Sequence, residues 1–215
     1  MLISLKKIFN PKYMSADMKT NWLLAMPFII MDIFIRILAS STSYIRPTMI
    51  IPTIVFSAIW IITIVSVARC LRPIWGRIFY GACFALFFSL FFTHCVYFLY
   101  TGFFFGLRLT ESAGEGSAYI WDTIKNTNPL IFVFCTLLVA FTVYILIKFP
   151  KKEGKSDFKK LFKSLAIFGF ILLINPLLLG KANSSLKWDT WRNPRNVYQN
   201  FNDSNKCMKI CGLYE

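Results

Sequence analysis

Five long apolar runs, separated by short polar stretches, set the limits on what this 215-residue chain can fold into. They cover about residues 22–39, 48–68, 78–101, 129–147 and 161–179. A helix that crosses a bilayer needs roughly 20 mostly apolar residues, because at ~1.5 Å rise per residue these traverse the ~30 Å hydrocarbon core. Within that core every backbone N–H and C=O must be paired inside the protein, which for single runs of this length selects the helix. The sequence therefore predicts an all-α membrane protein with five transmembrane helices. A basic leader (1–20) precedes the membrane domain (21–181), and a polar juxtamembrane tail (182–215) follows it.

The distribution of charge says more than its sum. A net charge of +14 would suit a nucleic-acid binder, but such a domain gathers its basic residues on one soluble face. Here they lie in the gaps between apolar runs, so nucleic acid is not an expected partner; the bilayer and its anionic lipids are. Counting on alternate sides of the five runs puts Lys6, Lys7, Lys12, Lys19, Arg69, Arg72, Arg77 and the seven lysines of Lys148–Lys163 on one side, 14 of 24 basic residues. The two loops on that side hold ten Lys and Arg; the two on the other side hold three, Arg46, Arg108 and Lys125. Short cytoplasmic loops carry the basic excess. The expectation is a cytoplasmic N-terminus and, after five crossings, an extracellular tail.

Leu2, Ile3, Leu5, Ile8 and Phe9 beside Lys6 and Lys7 read either as a short amphipathic segment on the inner leaflet or as a basic leader without fixed structure. A cleavable signal peptide is excluded, because the first apolar run is too long, contains charges and lacks an Ala-x-Ala-like site.

Within the first run stand Asp32 and Arg36, each costing about 2.5 to 3.5 kcal/mol at a helix centre if alone. A spacing of four puts them on one face, where they can pair. Two readings stand: a polar site for a lipid headgroup or ion, and a structural ion pair. After the second run, Pro73 and Gly76 in Arg69–Arg77 mark a tight turn whose arginines suit lipid phosphates. The phenylalanines of the third run, from Phe79 to Phe98, are spread round the helix and single out no face. His94 near its outer end lacks partners at metal-ligand spacing and reads as a histidine hydrogen-bonded between helices.

The longest loop, 102–128, should rest Phe103, Phe104 and Phe105 at the interface. It breaks at Glu111–Gly116, then forms a short interfacial helix from Ser117 carrying Tyr119, Ile120, Trp121 and Ile124. Glu111, Glu115 and Asp122 read as a solvated acidic stretch or a cation site. Pro129 suits the first position of the fourth helix, and Asn175-Pro176 predicts a kink in the fifth. In the tail, Trp188 and Trp191 belong to an aromatic belt, while Met208, Ile210 and Leu213 suggest short interfacial pieces near the surface. Six cysteines show neither zinc spacing nor a disulfide framework.

The loop stretch AGEGSAYIWDTI and the tail stretch NPRNVYQNFNDSNKCMKICGLYE resemble the N-terminal half of lipoteichoic acid synthase-like membrane transferases. The order of parts is similar too: basic N-terminus, five spans, a long outer loop after the third, and a juxtamembrane run ending near Gly-Leu-Tyr-Glu. Cys207 and Cys211 depart from the small polar residues that pattern has. The resemblance implies an extracellular catalytic domain of the sulfatase and alkaline-phosphatase type in cis, using a threonine nucleophile and a divalent metal to move glycerol phosphate or a related headgroup from a phospholipid. None of that machinery can be placed on this sequence, which has one histidine, inside a span. On this reading Asp32, Arg36, Glu115, Trp121 and Trp188 are candidates for lipid-facing or domain-docking roles, and residues 1–215 themselves hold no cofactor. Two rivals are a small transporter with Asp32, Arg36, His94 and Asn175 at a midplane site, and a non-catalytic membrane protein that binds a partner through its tail.

Overall fold

The structure is a computed structural model describing residues 16–40, 50–105, 124–150 and 158–178, with 181, 193, 195, 196, 208 and 212–214. Regular structure among the described residues is entirely helical. Five long helices, α1 (Ala16–Ser40), α2 (Ile50–Cys70), α3 (Pro73–Thr101), α4 (Leu130–Ile147) and α5 (Phe158–Leu178), are followed by a 3-10 turn, Gly212–Tyr214. Three stretches, Met18–Ala39, Pro73–Thr101 and Leu130–Ile147, are long and apolar enough to cross a membrane; Ser57–Cys70 and Leu165–Ile174 are shorter apolar stretches of α2 and α5.

The central element is α1, which packs on α2, α3, α4 and the 3-10 turn, while α5 packs on α2. The core runs along α1 through Leu24, Phe28, Met31 and Ile35, all fully buried. Against it α3 turns Tyr80, Phe84, Phe87, Phe91, Cys95 and Phe98, a repeat of three and four residues that lies on one helical face. The sequence singles out no face because phenylalanine also stands at the flanking, half-buried positions 79, 88 and 92, which pack against the edge of the same core. The packing is aromatic and edge-on: Phe28 meets Tyr80, Phe84 and Phe87 at centroid distances of 5.5, 6.3 and 6.2 Å, the arrangement favoured by the ring quadrupole. Tyr80 also donates its hydroxyl to the Leu24 carbonyl at 2.8 Å, which satisfies its one polar atom in the apolar interior.

The connection between α2 and α3 is tighter than expected. Pro73 is the first residue of α3, so the turn is reduced to Leu71 and Arg72. Gly76 lies inside the helix and donates its N–H to the Arg72 carbonyl at 2.8 Å. A Cβ there would overlap the Ala68 carbonyl oxygen, so glycine serves the close approach of α3 to α2 and not the turn. Arg69 is buried, whereas Arg72 and Arg77 are exposed. At the other end of α3, Gly102 takes φ 76° and returns its N–H to the Phe98 carbonyl at 2.8 Å, a left-handed cap that ends the helix at the expected residue.

Smaller shifts occur elsewhere. Phe104 is buried on His94 and Phe98 while Phe103 stays exposed, so only part of the aromatic triplet faces outward. Pro129 stands one residue before α4, where Asn128 Oδ1 accepts the Leu130 N–H at 3.0 Å. Residues 124–126 are helical, at the end of the expected loop helix. Pro176 lies two residues from the end of α5, in its last turn.

Candidate functional site

The polar cluster at Asp32 grows out of the helix geometry. A separation of four residues on α1 brings Arg36 Nε to 2.8 Å from Asp32 Oδ2, where it donates to the carboxylate. Ser57, on α2, faces the pair from across the helix contact. Its Oγ donates to the same carboxylate oxygen at 2.5 Å and accepts from Arg36 Nη2 at 2.8 Å. The fourth member comes from the far end of the chain, since the Leu213 backbone N–H donates to Asp32 Oδ1 at 3.2 Å. Asp32 thus receives three donors from α1, α2 and the tail. The side chains of Asp32 and Arg36 are only 7% and 14% exposed, and this much hydrogen bonding is what keeps an ionised pair tolerable away from water.

Gly212 makes the tail's approach possible. It takes φ 71°, a left-handed conformation costly for residues with a Cβ. A Cβ there would overlap Asp32 Oδ1 and sit 2.6 Å from Arg36 Nη2. Leu213 and Met208 are buried in the same apolar core as α1 and α3. The described end of the tail is therefore built into the bundle, where the hydrophobic pattern alone suggested pieces near the surface. Farther back, Asn193 Oδ1 accepts the N–H groups of Arg195 and Asn196 at 3.0 and 3.1 Å, a local turn beside a fully buried Asn196.

A groove of about 620 Å³ between α1 and α2 opens onto the same cluster, running from Trp22 past Ile29 and Ala58 to Asp32, Arg36 and Ser57.

Of the residues singled out from the sequence, Asp32 and Arg36 are paired as their spacing required. Glu115, Trp121 and Trp188 lie outside the described residues, as do Glu111, Asp122, Cys207, Cys211 and the side chain of Asn175. His94 is buried and packs its ring on Phe104 at 6.0 Å, but its Nδ1 has no hydrogen-bond partner among the described residues. The expected interhelix bond is thus not made at that atom, and the hydrogen bonds of the Asp32 cluster run to Ser57 and Leu213. No group of three or more potential metal ligands occurs among the described residues. Cys70, Cys83, Cys95 and Cys135 are free thiols.

Sequence reasoning missed Ser57 and Gly212. Ser57 had a signal, being a hydroxyl in a membrane-length apolar run that faces a partner-seeking charge. Thr63, on the same helix, bonds back to the Ile59 carbonyl at 2.7 Å and needs no such partner. Gly212 had none, because a contact 180 residues away in sequence leaves no local trace. Comparison of the chain with known protein families, with curated proteins and with solved structures returns no match.

Proposed function

We propose that the chain is the membrane anchor of a lipoteichoic acid synthase-like transferase and holds an extracellular catalytic domain at the outer leaflet, close to its phospholipid donor. The observation that carries the reading is the seating of the tail end in the bundle through Asp32 and Gly212. A polypeptide that leaves the bundle from such a seat starts from a fixed point and direction, as an anchor for a second domain requires. Support also comes from the loop and tail resemblance and from the segregation of lysine and arginine. The seat lies along the C-terminal half of α1, the end away from the Arg69–Arg77 connection, which fits five crossings with the tail outside. The divalent metal and nucleophile of such chemistry belong to the domain that would follow.

The rival transporter reading has less support. Asp32 lies eight residues from the end of α1, about 12 Å and so close to the middle of a ~30 Å core, but Arg36 lies only about 6 Å from that end, and the pair's hydrogen bonds run to Ser57 and the Leu213 amide.

Two experiments test the proposal. Translating the reading frame past Glu215 should give a domain of several hundred residues with clustered Asp and His; a stop codon directly after Glu215 would refute it. A membrane-impermeant thiol reagent applied to intact cells should label Cys207 and Cys211 and spare Cys70, and the reverse pattern would overturn the topology.

A further inference from the structure

We infer that α1 is hinged at Pro27, and that the Tyr80 hydroxyl is the catch that sets the width of one half of the groove between α1 and α2, the half nearer the α2–α3 connection. This does not depend on a catalytic domain following the tail.

The hinge begins with a missing donor. Pro27 stands inside α1 and is buried. It has no N–H, so the Leu23 carbonyl four residues back loses its helical partner, and the pyrrolidine ring crowds the same turn. In a helix of membrane-spanning length and hydropathy, an interrupted turn is completed by donors from neighbouring helices. The Leu24 carbonyl, in that turn, receives one: the Tyr80 hydroxyl of α3 donates to it at 2.8 Å. Ser89, Thr136 and Thr142 spend their hydroxyls on carbonyls of their own helices, whereas Tyr80 reaches across to α1.

The two sides of Pro27 are held unequally. After it, Phe28, Met31, Ile35 and Ala39 are fully buried and Asp32 accepts three hydrogen bonds. Before it, Leu24 and Ala25 are buried, but Asn21, Trp22, Leu23 and Met26 are exposed. Local opening is easiest where least apolar surface is buried, so the moving part is the arm Ala16–Met26. Its eleven residues measure about 16 Å at the helical rise. A change of about 20° in the bend, the scale of a proline kink, carries its tip about 5 Å.

The groove divides at the same residue. Ring and backbone contacts run α3 alongside α1 in the same direction (Leu24 with Tyr80, Phe34 with Phe91) and against α2 (Ala68 with Gly76, Trp60 with Phe87). With α1 and α2 thus antiparallel and Asp32 opposite Ser57, the half before Pro27 sets Met18, Asn21 and Trp22 against Ile62, Val65 and Ser66. A swing of the arm widens that half and leaves the Asp32 end, with the tail seat, as it is. Tyr80 stands at the pivot. Its ring meets Phe28, just after Pro27, at 5.5 Å, while its hydroxyl holds Leu24 on the moving side.

The test measures distances in the full chain in nanodiscs by double electron–electron resonance, with nitroxide-bearing unnatural residues replacing one of two exposed pairs and the native cysteines left in place. Positions 19 and 71 report the arm against the end of α2; positions 37 and 54 report the Asp32 end. Tyr80→Phe keeps the ring and removes the catch. It should raise the long-distance population of the 19–71 pair about 2- to 12-fold, the worth of one neutral hydrogen bond, and leave the 37–54 pair unchanged. Pro27→Ala, which returns a donor to the Leu23 carbonyl, should reverse that gain when combined with Tyr80→Phe. Should the proline variant fail to fold, Tyr80→Phe with the two pairs decides alone. An unchanged 19–71 distribution in Tyr80→Phe, equal broadening of both pairs, or broadening that survives Pro27→Ala would overturn the hinge.

Discussion

Replacing Gly212 with alanine tests how the tail is held, because Gly102 provides an internal control. Both glycines have positive φ, 71° and 76°, and alanine pays about 1 to 2 kcal/mol for that conformation at either place. Their surroundings differ. Nothing lies within 4 Å of a Cβ at Gly102, whereas at Gly212 it overlaps the Asp32 carboxylate and crowds Arg36. To relieve the overlap the tail must lift, and the Leu213 N–H bond to Asp32 goes with it. Hydrogen bonds to charged groups are worth about 1.5 to 3 kcal/mol. Gly212→Ala should therefore destabilise the tail seat by about 2.5 to 5 kcal/mol, of which about 1.5 to 3 exceeds the backbone term and corresponds to a further 10- to 150-fold rise in local opening. Hydrogen exchange followed by mass spectrometry in nanodiscs reads this directly, with the amides of α3 as reference. Gly102→Ala should accelerate exchange only around the end of α3. Were the Leu213 amide as protected in Gly212→Ala as in the wild type, the steric account of the seat would be wrong.

Other perturbations follow from the same geometry. Asp32→Leu should cost about 3 to 5 kcal/mol in thermal unfolding, since it strands a buried guanidinium, whereas Asp32→Leu with Arg36→Leu should recover much of the loss; no recovery would deny the coupling. Ser57→Ala removes one donor and one acceptor from charged partners and should lower stability by about 1 to 3 kcal/mol in the same assay. At the α2–α3 contact, Gly76→Ala should lower stability in thermal unfolding by about 1 to 3 kcal/mol through its clash with the Ala68 carbonyl. Gly81→Ala, whose nearest neighbours are Leu146 methyls at 3.8 and 3.9 Å, should be neutral or stabilising by up to about 1 kcal/mol.

Helix positions could be read from the sequence because each depends on a run of neighbours. The apolar run 78–101 ends at Thr101 where Gly102 caps it, and the run 129–147 begins one residue before α4, with Pro129 at the cap position and the Leu130 N–H donated to Asn128 Oδ1. Other features depend on partners distant in sequence. Gly76 has the composition of a turn and the role of a contact residue, because what it must fit beneath belongs to α2. His94 reads as an interhelix donor or acceptor, yet its ring is covered by Phe104, a residue whose neighbours Phe103 and Phe105 are more exposed.

Asp32 and Arg36 show how far an intramembrane charge can be read before its surroundings are known. Their spacing demanded a pair, and α1 delivers it. A pair alone leaves lone pairs and N–H groups unanswered in a medium that cannot solvate them, so the sequence also implied further donors without naming them. Ser57 and the Leu213 amide meet that demand. The Leu213 amide could not be replaced by water without admitting water to the apolar core around Leu213 and Met208. The carboxylate is thus what makes the tail's return favourable: a backbone N–H arriving between helices finds a negative oxygen instead of a methyl group. An apolar residue at position 32 would leave the Leu213 amide without this acceptor, a cost of about 1 to 3 kcal/mol set against the burial of Leu213 and Met208 that favours the tail's entry.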